Sequence, residues 1–438
     1  MNSNPSRRSF LAQIIAAGVA PCVVPAHVLR AQTAPSNKIT LGVVGTGSQG
    51  IVDMRAFLNH DDVRVTALCD VNTRNLERAK GHIKERYGSA DARVYQDFRE
   101  LHRDASVDAV LMALPVHWHS IPATDAVLQG KHIYHEKPMG MSFAESKHVR
   151  AAVRKKGVVF QFGTQQRSDL KFRWACELVR NGRLGKMKEI RVGVPGGKKS
   201  AAFEEQSLPD FVDWDRWVGP APLTTYNEKK LQRDNHENIT NFSLGMISCW
   251  GIHHLDIASW GNDTDATGPV SVEGAGEYPD VGGGCDAVLG WKVRYEFAKA
   301  APITFVNEGR DGISHGTIFE GESGWVHVKR GAITASSPDL LRDPANKAGS
   351  MPIVLPASVE HTRNFVDAVK AGNGAKPICD IETAVRSDML CQLAAMALKA
   401  KRPLKWDPEA ENFGADAEAN ALLSARPFRG EWKLPEIG

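Results

Sequence analysis

The sequence predicts an α/β protein in two parts. A parallel, doubly wound sheet comes first, followed by an α+β domain with a large, mostly antiparallel open sheet. Three observations predict it. Apolar strand patterns alternate with helix patterns over residues 38–160, the rhythm of a parallel sheet with crossover helices. A glycine-rich turn, Gly45-x-Gly47-x-x-Gly50, joins the first strand to the first helix. From residue 161 onward the texture changes to a run of short strands with fewer helices among them.

Taken in order, Lys38–Val44 reads as a buried strand and Val63–Asp70 as the second. Asn72–Tyr87 is a charged amphipathic helix, and Val107–Leu114 is another apolar strand. Pro122–Gln129 continues a helix that Gly130 stops, because glycine tolerates the left-handed conformation of a helix end. Lys131–His135 is a short strand, Ala144–Lys156 a helix and Val158–Phe162 the closing strand of the first part. In the second part, strands are predicted at 187–194, 270–276, 291–298, 302–308, 316–320 and 324–330. Helices are predicted at 168–181, 253–260, 360–371 and 382–399, and residues 405–438 as a surface-hugging tail.

The glycine turn carries chemistry because of where it sits. Residues Gly45, Thr46, Gly47, Ser48, Gln49 and Gly50 follow a strand and open a helix, so a pyrophosphate can rest on the helix N-terminus. Asp70 ends the next strand 25 positions after Gly45, where a carboxylate accepts from adenosine ribose hydroxyls and repels a 2′-phosphate. The predicted cofactor is therefore NAD, with Arg74 leaving NADP open. Glu136-Lys137-Pro138 follows by the length of a βαβαβ half-sheet, which puts Lys137 where a nicotinamide would meet its substrate. In Leu114-Pro115-Val116-His117-Trp118-His119, Pro115 and His119 are candidates to flank that ring, or else polar members of a capping loop. Gly251-Ile252-His253-His254-Leu255-Asp256 is a second dense spot, where His253 and Asp256 share a helical face. Adjacent histidines do not point the same way on a helix, so no metal site is indicated; packed structural histidines are the other reading.

Bulk properties exclude some partners. The formal charge of +3 comes from Arg7, Arg8 and Arg30, and the remainder balances 51 basic against 51 acidic residues. That is no footprint for nucleic acid. Ser6-Arg7-Arg8-Ser9-Phe10-Leu11 and the short apolar run to Val24 read as a twin-arginine signal occupying residues 1–31, which predicts export to the periplasm and no stable membrane insertion after cleavage. The seven cysteines contain no C-x-x-C, so neither zinc nor a disulfide framework is indicated.

Together these motifs resemble the Gfo/Idh/MocA oxidoreductase family, across essentially the whole mature chain. The resemblance rests on the glycine turn, on Gly130-Lys131-His132 leading into Glu136-Lys137-Pro138, and on the Gly-x-His-x-x-Asp stretch. Residues 163–168, Trp214–Pro220 and Leu404–Pro408 resemble a secreted twin-arginine subgroup. It implies a Rossmann NAD(P)-binding domain at 38–160 and a substrate-binding, oligomerising domain at 161–404. It also implies a sugar, sugar-derivative or cyclic polyol substrate and a homo-oligomer. By that resemblance Lys137 and His253 are the catalytic pair, Glu136 borders the cofactor, and Gln166, Arg167, Cys249, His254 and Asp256 lie toward substrate. The family commonly carries an acid four residues before the histidine; here the position is Cys249. The competing expectations are a glycosidase or lyase acting through transient oxidation of a ring hydroxyl, and a non-catalytic sensor. Retention of Lys137 and His253 argues against the sensor.

Overall fold

A computed structural model describes residues 37–280, 284–372 and 374–438. The predicted twin-arginine segment lies outside the described residues. The first sheet has six parallel strands: β1 (Ile39–Val44), β2 (Val63–Cys69), β3 (Arg93–Tyr95), β4 (Ala109–Met112), β5 (His132–His135) and β6 (Phe160–Phe162). Their order, β3-β2-β1-β4-β5-β6, reverses between β1 and β4. Such a reversal opens a crevice beyond the carboxyl ends of the strands, where open α/β sheets bind ligands. β4 is wholly buried, as an apolar run covered on both faces should be.

Helices α1 (Ser48–Leu58), α2 (Thr73–Tyr87), α3 (Phe98–Arg103), α4 (Ser120–Leu128) and α5 (Phe143–Lys156) supply the cover. Their ends follow local chemistry. The Asn72 side chain caps α2 by accepting from Arg74 N, and Gly88 stops it at φ 80°. The strand β3 and helix α3 escape sequence patterning because β3 is three mostly exposed residues with no apolar run.

The second sheet has eight strands: β7 (Met187–Val194), β8 (Ser271–Glu277), β9 (Gly290–Glu296), β10 (Ile303–Asn307), β11 (Gly316–Gly321), β12 (Gly324–Lys329), β13 (Ala332–Ala335) and β14 (Leu404–Lys405). The order is β13-β12-β11-β7-β10-β9-β8-β14, antiparallel except for the β10–β7 pair. One face is covered by α6 (Leu170–Arg180), α7 (Gly251–Gly261) and α9 (Ile381–Ala400). Helix α8 (His361–Ala371) instead returns to the first layer, where Phe365 meets Phe57 of α1 edge-on. Among the described residues no helix is long and apolar enough to cross a membrane.

The tail does more than hug the surface. Trp406 is buried against Phe143 and Phe413, and Trp432 meets Trp118 at 4.7 Å between ring centroids. Scattered aromatics without period left no signal for this return.

Candidate active site

The crevice beyond β1 and β4 is a cleft holding ≈ 1210 Å³, open water at its mouth included. Gly45, Gly47, Ser48, Gln49, Asp70, Pro115, Glu136 and Lys137 all line it. The turn has the shape its glycines predict. Gly45 sits at φ +87°, and a Cβ there would lie 2.3 Å from the Ala113 carbonyl oxygen. A Cβ on Gly50 would lie 2.0 Å from the Gly45 oxygen, which locks α1 against the turn. Gly47 faces open space, so backbone N–H groups at the start of α1 are free to meet a phosphate. These residues fit a dinucleotide.

Asp70 is tied to the turn rather than free. It accepts from Thr46 N at 2.8 Å, Thr46 Oγ1 at 2.9 Å and Asn72 N at 2.8 Å. Burial pushes its carboxyl up from the ordinary value while those donors pull it back. Oδ2 is taken up by Thr46 and Asn75, while Oδ1 accepts only from Asn72 N and keeps acceptor capacity for a ribose hydroxyl. Arg74, the side chain that could have met a 2′-phosphate, lies over the Phe211 ring at 3.6 Å. His119 does not line the cleft: its ring nitrogens face the carbonyls of Leu114 (2.7 Å) and Pro138. Burial pulls its pKa down to about 4 against those two acceptors.

Lys137 stands at the inner end of the cleft. Its Nζ donates to the Cys249 carbonyl at 3.1 Å and lies 3.8 Å from Glu237 Oε1. Glu237 is the carboxylate that Cys249 does not supply, and it arrives from a different segment. Arg233 holds it, Nε to Oε1 at 3.0 Å, and also donates to Gln49 Oε1 at 3.0 Å. Burial would push the Glu237 carboxyl up, but the Lys137 and Arg233 cations outweigh it and hold the pKa below the ordinary value. On the other side of Lys137, Glu136 is buried and accepts from Gln165 Nε2 at 2.6 Å. Burial and then the Glu136 charge push the Asp53 carboxyl well above its ordinary range, while Gln49 donates to it at 3.0 Å. A ring of charges thus joins the glycine turn to the lysine.

Helix α7 delivers only part of its motif. His253 is almost wholly buried, its Nδ1 has no hydrogen-bond partner, and its ring lies 5.8 Å from that of Trp250. Burial, then the Lys137 and Arg330 cations, pushes its pKa far below the usual imidazole range, so the ring is neutral at neutral pH. The remaining residues predicted toward substrate are bound internally. Asp256 takes both Arg167 donors at 2.8 Å, and Arg167 also reaches Asp265 at 2.9 Å. His254 lies against Gln166 Nε2 at 3.3 Å and Thr317 Oγ1 at 3.0 Å. The Cys249 thiol contacts Ser243 Oγ at 3.1 Å, and burial raises its pKa to about 12, so it offers a backbone oxygen rather than an anion. Residues that sequence reasoning missed in the cleft include Trp118, Trp217, Arg233, His236, Glu237 and Trp432. Two stretches singled out in the sequence pointed to members of this set, Leu114–His119 to Trp118 and Trp214–Pro220 to Trp217.

Comparison with known families agrees with this geometry. The family model for an oxidoreductase NAD-binding Rossmann fold (GFO_IDH_MocA) matches residues 39–164, and that for the family's C-terminal α/β domain matches residues 194–434. The chain belongs to the Gfo/Idh/MocA oxidoreductase family. Its first sheet is the family's NAD-binding domain. Among curated relatives, myo-inositol 2-dehydrogenase of Thermotoga maritima is 30% identical over 152 residues, 35% of this chain and 44% of that protein. Glycosyl hydrolase family 109 protein 2 of Shewanella sp. (strain ANA-3) is 33% identical over 136 residues, 30% of this chain and 29% of that protein. The matches span less than half the length of either relative. The WlbA dehydrogenase of Bordetella pertussis, solved with NADH and UDP-GlcNAcA, shares the fold at TM-score 0.63 and 16% identity, covering 84% of this chain and 98% of that one.

Proposed function

We propose that this Gfo/Idh/MocA member is an NAD-dependent oxidoreductase of CH–OH groups. It moves a hydride between a sugar, sugar-derivative or cyclic polyol hydroxyl and a tightly held nicotinamide cofactor, in the periplasm and as a homo-oligomer. One observation carries the reading. Lys137 Nζ, at the inner end of the glycine-turn cleft, sits 3.8 Å from Glu237 Oε1 and 3.1 Å from the Cys249 carbonyl, beside a neutral His253. The bound nicotinamide supplies the hydride acceptor. The protein's own groups position the alcohol and handle its proton. Lys137 donates to the substrate oxygen, and Glu237 balances its charge. His253, kept neutral, is the acceptor placed to share the hydroxyl proton. Arg233 holds Glu237 and also bonds Gln49 of the glycine turn, so cofactor and proton machinery keep one geometry.

The experiment is to purify the exported protein, identify its bound nucleotide and follow the cofactor's absorbance across a panel of sugars, polyols and glycosides. Carbonyl product with net cofactor reduction is expected. The similarity to a glycosyl hydrolase family 109 protein favours a second reading, glycoside cleavage through transient oxidation. Aglycone released without net redox change would select that reading over the first. The periplasmic assignment rests on Arg7 and Arg8. Replacing both by lysine should retain the precursor in the cytoplasm, and unchanged export would count against a twin-arginine route.

A further inference from the structure

The oxidoreductase reading leaves Arg330 unused. Arg330 is an exposed residue of the two-residue turn that joins β12 to β13, beyond the buried Val326 and Val328. It lies one residue past the end of the strand, so its side chain reaches the rim of the sheet instead of the core. There the guanidinium stands over the Trp250 ring, 5.0 Å from its centroid. Trp250 connects this cation to the reacting centre. Its chain neighbour Cys249 gives its carbonyl to Lys137 at 3.1 Å, and its own ring lies 5.8 Å from His253.

Among the described residues no carboxylate lies within 4.0 Å of the Arg330 guanidinium. The acids whose charge it feels are Glu136 and Asp169, and both are engaged elsewhere. Glu136 accepts from Gln165 Nε2 at 2.6 Å, and Asp169 caps α6 by accepting from Lys171 N at 2.7 Å. A guanidinium parked over an aromatic ring keeps its in-plane N–H donors free, and their fork matches a carboxylate. The His253 ring, 5.8 Å from the same Trp250 ring, is buried, and its Nδ1 has no hydrogen-bond partner. The cations Lys137, Arg330 and Arg233 all act on this histidine.

We propose that Arg330 is a specificity residue that pairs with a carboxylate on the substrate. The enzyme then takes an acidic sugar, a uronate or aldonate, in preference to a neutral sugar or polyol. This rests on the oxidoreductase reading above. A singly charged carboxylate suits the site better than a phosphate dianion, because Glu136 and Glu237 flank Lys137 and repel additional negative charge.

The test measures cofactor reduction by the full-length exported protein with matched pairs: D-glucuronate and D-glucose, D-galacturonate and D-galactose, D-mannuronate and D-mannose. The methyl ester of each acid and each sugar 6-phosphate are added. In the active pair the acid should exceed its neutral partner and its ester by about tenfold or more in kcat/KM. Arg330→Ala should raise KM for the acid roughly thirtyfold while kcat and the neutral sugar's kcat/KM hold. Arg330→Lys should recover part of the loss. Unchanged NAD affinity in both variants shows that they fold. The proposal is overturned if the neutral sugar or the phosphate is preferred, or if Arg330→Ala affects acid and neutral substrates alike. If no compound in the panel changes the cofactor's absorbance, the oxidoreductase reading falls and this proposal falls with it.

Discussion

The glycine turn after β1 and the histidine helix α7 carry motifs of similar density, but they deliver their residues differently. At the turn, Gly45, Gly47, Ser48 and Gln49 all line the cleft, and Thr46 and Gly50 build its wall. On α7, His253 lies beside Lys137, while His254 and Asp256 spend their polar atoms on Thr317, Gln166 and Arg167. The turn acts through its backbone, whose path the glycines set within six residues. A helix presents side chains all round, and each one's role depends on what packs against its face. A polar residue in a functional stretch is therefore as apt to satisfy a buried partner as to meet a ligand.

The sharpest way to break this comparison is Lys137→Ala. Turnover should fall roughly 10³-fold while NAD binding, measured by titration, persists. Loss of both together would mean that the lysine builds the cofactor site instead of acting beside it. Asp256→Asn should do the reverse. It leaves the buried Arg167 with Asp265 as its remaining carboxylate and should cost about 3 kcal/mol of stability in urea unfolding, with the kcat of folded protein near wild type. A selective loss of kcat at unchanged stability would return Asp256 to the substrate site.

A brace behind the lysine gives a pH readout. Asp388 of α9 accepts from Met139 N at 3.2 Å and Ser146 Oγ at 2.7 Å, and burial raises its pKa to about 6. The folded state thus holds this proton where the unfolded chain has lost it. Its contribution to stability should fall as pH rises from the ordinary aspartate range to about 6, then level off, by about 3 kcal/mol in all. Asp388→Asn should flatten that slope in urea titrations at pH values on either side; an unaltered slope would assign it to other groups.

The smallest expected effect is at Glu237. Glu237→Gln should lower kcat about tenfold with NAD affinity little changed. Because Lys137 and Arg233 hold its carboxyl below the ordinary value, wild-type turnover should lose nothing from Glu237 protonation until the pH drops beneath the usual glutamate range. No kcat change in the glutamine variant would leave Lys137 without need of a charge partner.

Much of the first sheet could be read from residue order, because buried parallel strands are continuous apolar runs and their helices carry local caps. Asp70 was predictable for the same reason: it ends a strand whose partner holds the turn. Glu237 and Arg233 were not, since charged residues on a short helical turn look like solvated surface until the fold closes over them. Trp432 lay in a tail with no periodic pattern, and it still reaches the cleft.

From residue order alone came the strand–helix alternation, the phosphate-binding turn and the placing of Lys137 near the cofactor, while His253 entered through the resemblance to the family. The tertiary structure supplied the partners. The bond from Lys137 Nζ to the Cys249 carbonyl spans 112 residues, and that from Arg167 to Asp256 spans 89. Backbone geometry is a local property, whereas the energy of a buried charge depends on whatever distant segment packs against it.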